Sequence, residues 1–281
     1  LVVLVLGERS GLTEDAISGE SRDRMRIGLP GRQQDLLEAV VGTGTPVVLV
    51  LIAGRPLAVP WAQAHCNAVV HAWVPGERGG EAIADVLSGA VNPGGKLPIT
   101  VPRDAGQIPI YYGHRPTGGH SNWTVEYQDG SNLPLWPFGF GRSYTDFELH
   151  DLRLSSGTIP ADGEVEISAG VRNIGLVAGD EVVQLYVRDV AASLTRPVKE
   201  LRGFARVTLE PGESRTVTFT LAAEQLAFVD VPGRWLVEPG EFRLMVGTSS
   251  VDLPLEASLS VGGTARHLES RSRYLSAVRV R

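Results

Sequence analysis

The residues best suited to chemistry lie in one polar loop near the start of the chain. It holds Glu8, Arg9, Glu14, Asp15, Glu20, Arg22, Asp23, Arg24 and Arg26, and it ends at Leu29-Pro30-Gly31. A carboxyl group in such a loop can protonate a leaving oxygen and later take a proton from water. Three glutamates are candidates for that work. Glu8 sits at the end of an apolar run, where it is placed to order the loop. Glu14 reads as a solvated charge. Glu20 follows Ser18-Gly19, which allow close approach and mobility, and it precedes Arg22, Asp23 and Arg24, which can hold the loop by ion pairs. By composition alone the loop reads as a solvated charged surface, and that reading outweighs the chemical one by a wide margin.

Other chemistries find less support. Cys66 is the only cysteine, which excludes an intrachain disulfide and a multi-thiolate zinc site. His114 and His120 are the nearest histidine pair on a polar loop, and their spacing matches no helical metal motif, so no metal is expected. Gly76-Glu77-Arg78-Gly79-Gly80 precedes a helix, as phosphate-binding turns do. It lacks both the dinucleotide fingerprint and the Lys-Ser/Thr of a P-loop, so the glycines read as close packing and no cofactor is expected. The net charge of −6 carries no footprint for nucleic acid. The longest apolar run, Pro46–Ala53, falls far short of the ~18 residues of a membrane-spanning helix. Neither nucleic acid nor a membrane is therefore an expected partner, and homo-oligomerisation is left open.

The candidate loop needs elements to position it. Residues 1–115 alternate strand and helix patterns. Strands are expected at Leu1–Leu6, Val47–Ala53, Ala68–Trp73 and Leu97–Val101, as apolar runs bounded by Gly and Pro. Helices are expected at Gln33–Val41, with Leu36, Leu37, Val40 and Val41 on one stripe, at Val59–His65, and at Glu81–Leu87 before the stop at Gly89. The alternation predicts an α/β domain with a mostly parallel sheet. Ligands gather beyond the carboxyl ends of such strands, which is where the loop after Gly7-Glu8 begins. Leu1–Leu6 reads as a fully buried strand at the very start of the chain. The expectation is that upstream sequence has been cut away or lies in another chain.

Residues 116–146 form a polar, aromatic and Gly-rich connection holding Trp123, Tyr127, Trp136, Phe138, Phe140 and Tyr144. Trp123 and Tyr127 could stack on a ligand or pack across a domain boundary; Trp61 and Trp73 read as packing residues. From about 147 the period becomes two. Val183, Leu185 and Val187 share a face, as do Val217, Phe219 and Leu221, and Phe242, Leu244 and Val246. Turns fall at Asn173-Ile174-Gly175, Pro211-Gly212-Glu213, Pro232-Gly233 and Pro239-Gly240. About seven short strands over 147–262 predict an all-β immunoglobulin-like sandwich of fibronectin type III kind. Asp180, Glu200 and Glu238 lie beside turns or strand ends and read as solvated charge. A C-terminal tail, 263–281, follows.

The motifs also occur in a familiar order. Gly7-Glu8, Ser18-Gly19-Glu20 with Asp23-Arg24, Leu29-Pro30-Gly31-Arg32-Gln33, Gly54-Arg55-Pro56-Leu57, Ala72-Trp73-Val74-Pro75-Gly76, Gly79–Leu87 and Asn92–Pro98 resemble the second domain of glycoside hydrolase family 3. The resemblance continues through Gln107-Ile108-Pro109 and Pro134–Gly141 with Ser143-Tyr144-Thr145. Gly179–Val187, Arg196–Leu201 and Glu238-Pro239-Gly240 resemble the fibronectin type III-like domain that ends many members.

The resemblance implies a retaining β-glycosidase that removes one sugar from a non-reducing end, β-glucosidase first and β-xylosidase next. It implies that Glu20 is the general acid/base, and that the nucleophile is an aspartate on an N-terminal barrel of the same enzyme. The substrate would be a β-glucoside or oligosaccharide. Arg24 and Trp123 are the candidate substrate contacts; surface ion pairing is the alternative for Arg24. Alone, the chain would act as a carbohydrate-binding or scaffold module, and a nucleotide-binding α/β protein is the more distant alternative.

Overall fold

The computed structural model describes residues 1–11, 17–19, 21–116 and 127–281. The chain divides into two compact units. The first comprises Leu1–Val91, Ile99–Ile110 and the described part of 122–136. The second comprises Asn92–Pro98, the described part of 111–121, and Pro137–Arg281.

In the first unit β1 (Val2–Gly7), β2 (Val47–Ile52) and β3 (Ala68–Trp73) alternate with α1 (Gln33–Val41), α2 (Pro60–His65) and α3 (Gly79–Ser88). The strands form one sheet in the order β1-β2-β3, and both pairings are parallel. β2 is central, and Val47, Leu49, Val50 and Leu51 are each at most 1% exposed. A central parallel strand buries both faces, so its sequence is a continuous apolar run rather than an alternation. β1 departs from the expected full burial: Val3 is 44% and Val5 53% exposed. It is an edge strand here, and among the described residues nothing covers those two side chains.

The helices follow their apolar stripes unevenly. α1 buries Leu37 completely but leaves Leu36 48% exposed. α3 half-buries Ile83, Val86 and Leu87 together and is capped by Gly89. Gly89 adopts φ +79° while its N–H donates to Val86 O at 3.1 Å, a left-handed cap that glycine forms without steric cost.

Leu97–Val101, expected as a strand, is not one. Leu97 exchanges backbone hydrogen bonds with Gly139 and Phe140, and Val101 makes a single bridge to Trp136. Its backbone groups are taken by these loop pairings, so the run does not join the sheet.

The second unit contains β4 (Phe147–Leu154), β5 (Thr158–Pro160), β6 (Glu164–Asn173), β7 (Gly179–Asp189), β8 (Glu200–Leu209) and β9 (Ser214–Ala222). It continues with β10 (Phe228–Val229), β11 (Trp235–Val237), β12 (Gly240–Gly247), β13 (Leu255–Gly262), β14 (Arg266–Leu268) and β15 (Ala277–Val280). These make a five-stranded sheet, β5-β13-β12-β7-β8, a four-stranded sheet, β15-β9-β6-β4, and a small β10-β11-β14 sheet. Val183, Leu185, Val217, Phe219, Leu221, Leu244 and Val246 are all fully buried. Each large apolar side chain so buried contributes roughly 1.5–3 kcal/mol.

More strands form than the periodicity shows, because β5, β10 and β11 have three residues or fewer, too short for an alternation. The tail is also structural, since β14 pairs with β11 and β15 with β9. Nor are the acids simply solvated. Asp180 accepts from Arg206 Nε at 2.7 Å, and Glu200 lies 3.0 Å from Arg196 and 2.8 Å from Arg202. Glu238 accepts from the Ser193 N–H at 3.0 Å.

Candidate active-site loop

The loop begins where β1 stops. Gly7 has φ +143°, and a β-carbon there would lie 1.8 Å from the Ile52 carbonyl oxygen. Only glycine lets the chain pass so close to β2. The next N–H, that of Glu8, donates to the same Ile52 oxygen at 2.9 Å.

Glu8 then turns inward, its side chain 0% exposed. Arg55 Nε lies 2.9 Å from Oε2, an ion pair without the alignment of a hydrogen bond, and Arg24 Nη1 donates to Oε1 at 3.4 Å. A buried carboxylate is tolerable only when paired in this way. Both of its oxygens are committed to arginines, so Glu8 is an anchor and not a proton donor to a ligand.

Arg55 follows β2, the neighbour of β1, so parallel pairing brings the two loops to the same end of the sheet. Its Nη2 donates to Ile17 O at 3.3 Å and to Arg22 O at 3.2 Å. The neck of the loop is closed independently. Ile17 N–H donates to Arg9 O at 2.9 Å and Gly11 N–H to Ser18 O at 3.0 Å. Ser18 is 3% exposed. Arg22 N–H donates to Gly19 O at 3.1 Å, and Gly19 and Ser21 both take positive φ, +122° and +57°.

Glu20, Glu14 and Trp123 lie outside the described residues. Of the other candidates, Arg24 belongs to the Glu8 cluster and keeps 25% of its side chain exposed. Tyr127 is 44% exposed. Trp61 stacks on His65 with ring centroids 4.2 Å apart, and Trp73 packs against His71 at 5.8 Å.

Two residues escaped sequence reasoning. Arg55 makes contacts 38 and 33 residues away in sequence, which no local pattern reveals. His71 sits within an apolar strand run and meets Trp136 edge-on at 5.0 Å. Burial pushes its imidazole down to about 4, so it is neutral at physiological pH. Among the described residues no group of three His, Cys, Asp or Glu side chains could hold a metal ion, and no helix is long and apolar enough to cross a membrane.

The charged loop stands at the carboxyl end of parallel strands, in a chain that continues into a fibronectin-like sandwich. Comparison with known proteins supplies the class. Residues 1–144 match the glycosyl hydrolase family 3 C-terminal domain, and residues 181–250 match the fibronectin type III-like domain. The chain belongs to glycosyl hydrolase family 3.

It is 45% identical over 256 residues to a periplasmic beta-glucosidase of Salmonella typhimurium, covering 89% of this chain and 33% of that protein. It is 44% identical over 249 residues to a beta-xylosidase of Formosa agariphila, covering 89% and 34%. Among solved structures, beta-glucosidase from Listeria innocua in complex with glucose superposes with a TM-score of 0.85 at 39% identity, covering 93% of this chain and 36% of that one. The chain thus spans about a third of the length of the relatives it matches.

Proposed function

We propose that the chain is the acid/base-bearing part of a retaining, exo-acting β-glycosidase. β-Glucosidase is the first reading and β-xylosidase the second, because relatives of both names match at nearly equal identity. Glu20 is the general acid/base. The nucleophile is an aspartate on an N-terminal barrel, in keeping with relatives three times as long. The same reading takes the first unit as part of an α/β domain with a mostly parallel sheet, supported by its three parallel strands.

The observation that carries the assignment is the anchoring of the loop on both sides of Glu20. The carbonyls of Ile17 and Arg22 share one guanidinium, and the rival Glu8 is consumed as a buried counter-ion. A loop held at both flanks suits a residue that must donate and then accept a proton. Arg24, partly exposed beside it, remains a candidate substrate contact, as does Trp123.

The test is Glu20→Gln in the enzyme containing this chain. Hydrolysis of glycosides with poor leaving groups should fall by ~10²–10⁴-fold, the usual contribution of a general acid. Cleavage of activated aryl glycosides should be spared in the first step, and azide should restore turnover as a β-glycosyl azide. Equal losses on both substrate types without an azide effect would remove Glu20 from the role.

Without a barrel, the chain lacks a partner for the acid. A non-catalytic carbohydrate-binding or scaffold role is the alternative for the isolated chain, favoured by its covering only a third of its relatives.

A further inference from the structure

We propose that Arg55 is the positioning residue of the acid/base loop, with Glu8 as its fixed counter-ion; the inference rests on the reading of Glu20 given above. The guanidinium reaches three points at once. Nη2 takes the carbonyls of Ile17 and Arg22, which stand three residues before Glu20 and two after it, and Nε faces Glu8 Oε2 at 2.9 Å. Each contact alone is ordinary. Together they connect both flanks of the loop to the carboxyl ends of β1 and β2, through one planar group whose donors are fixed relative to one another.

The flanks need such a hold. Ser21 is a non-glycine residue at φ +57°, and a β-carbon on Gly19 would lie 2.9 Å from Gly11 O. Backbone in these conformations costs roughly 1–3 kcal/mol at a non-glycine position and persists only where its surroundings enforce it. The neck bonds at Arg9, Gly11, Ile17 and Ser18 close the N-terminal flank. The flank at Arg22 is joined to them by its N–H bond to Gly19 O and, from the sheet side, through Arg55.

Lysine cannot replace this arrangement. It is a point charge on a flexible stem, whereas arginine offers five donors in a rigid fork. Burial raises the demand for correct pairing, since Arg55 is 23% exposed and Glu8 not at all. A misplacement of about 1 Å in a catalytic group costs on the order of 10²-fold in rate. Loosening the flanks should therefore appear in acid catalysis before it appears in substrate binding.

The experiment compares Arg55→Lys, Glu8→Gln and Glu20→Gln in the enzyme formed by this chain with its barrel. Turnover is measured on a β-linked disaccharide and on 2,4-dinitrophenyl β-glucoside, beside amide hydrogen exchange of the loop. For Arg55→Lys the expected result is a loss of about a hundredfold in kcat on the disaccharide, a few-fold loss on the activated glycoside, and little change in KM. The amides of Ile17 and Arg22 should exchange faster while those of β2 stay protected. Glu8→Gln should reproduce the pattern more weakly, and it serves alone if the lysine variant does not fold.

Equal losses on both substrates, or unchanged exchange at the flanks, would overturn the proposal. If Glu20→Gln shows no dependence on the leaving group, the acid/base reading fails first. Arg55 then stands or falls on the exchange data as a loop anchor.

Discussion

Gln33 pairs with the backbone of Gly7 through two hydrogen bonds: its Oε1 accepts from Gly7 N–H at 2.8 Å and its Nε2 donates to Gly7 O at 2.9 Å. The first side chain of α1 thus caps the last residue of β1, just before the chain enters the candidate loop. The amide of glutamine matches the donor and acceptor of a peptide unit, so it completes the strand end as a neighbouring strand would.

Gln33→Ala should therefore lower stability by about 1–3 kcal/mol, because both groups of Gly7 lose partners in a partly buried place. Gln33→Glu should fall between, since a carboxylate accepts but does not donate. Urea midpoints of the 281-residue chain measure both. An unchanged midpoint for Gln33→Ala would show that water serves Gly7 equally well.

Gly139 and Gly212 separate two costs of replacing a glycine. Both have positive φ, +80° and +78°. A β-carbon at Gly139 would meet Gln184 Oε1 at 2.3 Å, whereas at Gly212 nothing lies within 4 Å. Gln184 cannot yield easily: its Oε1 accepts from Tyr186 Oη at 2.7 Å and its Nε2 donates to Thr248 O at 2.6 Å. Gly212→Ala should cost about 1 kcal/mol of backbone strain. Gly139→Ala should cost ~1–3 kcal/mol more for the overpacking. Thermal melting of the two variants checks the order, and equal shifts would contradict it.

Where sequence succeeded, it did so for local reasons. β2 is an apolar run because a central parallel strand has two buried faces, and α3 stops at a glycine that takes the left-handed cap. The β-sandwich shows in Val183, Leu185 and Val187, since alternation is the direct trace of one buried face. The failures are non-local. Leu97–Val101 has strand composition, yet its backbone partners are Gly139, Phe140 and Trp136. Val3 and Val5 look like core residues until their strand is found at the sheet edge. In the candidate loop, charge and glycine content were legible, but the hub was not. Arg55 meets its loop partners only through the parallel pairing of β1 with β2.

His71 gives a pH dependence with a defined sign. Burial lowers its folded-state pKa from 6.5 to about 4. Between those values the unfolded chain binds a proton that the folded chain does not, so stability falls as pH drops from 6.5 toward 4. Between pH 7.5 and 5 this group should account for at most about 2 kcal/mol. His71→Phe should flatten that part of the profile, followed by tryptophan fluorescence, since Trp73 and Trp136 adjoin the ring. A profile identical to the parent's would place the acid sensitivity elsewhere.

The acids of the sandwich should affect folding and not chemistry. Glu200→Gln removes the counter-charge of Arg196 and Arg202, whose side chains are only 9% and 7% exposed, and should destabilise by about 3 kcal/mol. Glu238→Gln keeps an acceptor for Ser193 and should stay within about 0.5 kcal/mol. In an enzyme that pairs this chain with the proposed N-terminal barrel, both folded variants should retain the maximal rate within a few-fold. A collapse of rate in a well-folded variant would bring the sandwich into the active site.

The central claim is that this chain supplies an acid/base but no nucleophile. Retention requires two carboxyl groups about 5–5.5 Å apart across the scissile bond. The most direct measurement incubates purified residues 1–281, free of host glycosidases, with aryl β-glucoside and β-xyloside, alone and then joined to the proposed N-terminal barrel. The account predicts no turnover from the chain alone, and retaining hydrolysis when the barrel is present. Robust turnover by the isolated chain that disappears in Glu20→Gln would place a nucleophile within these 281 residues and contradict it.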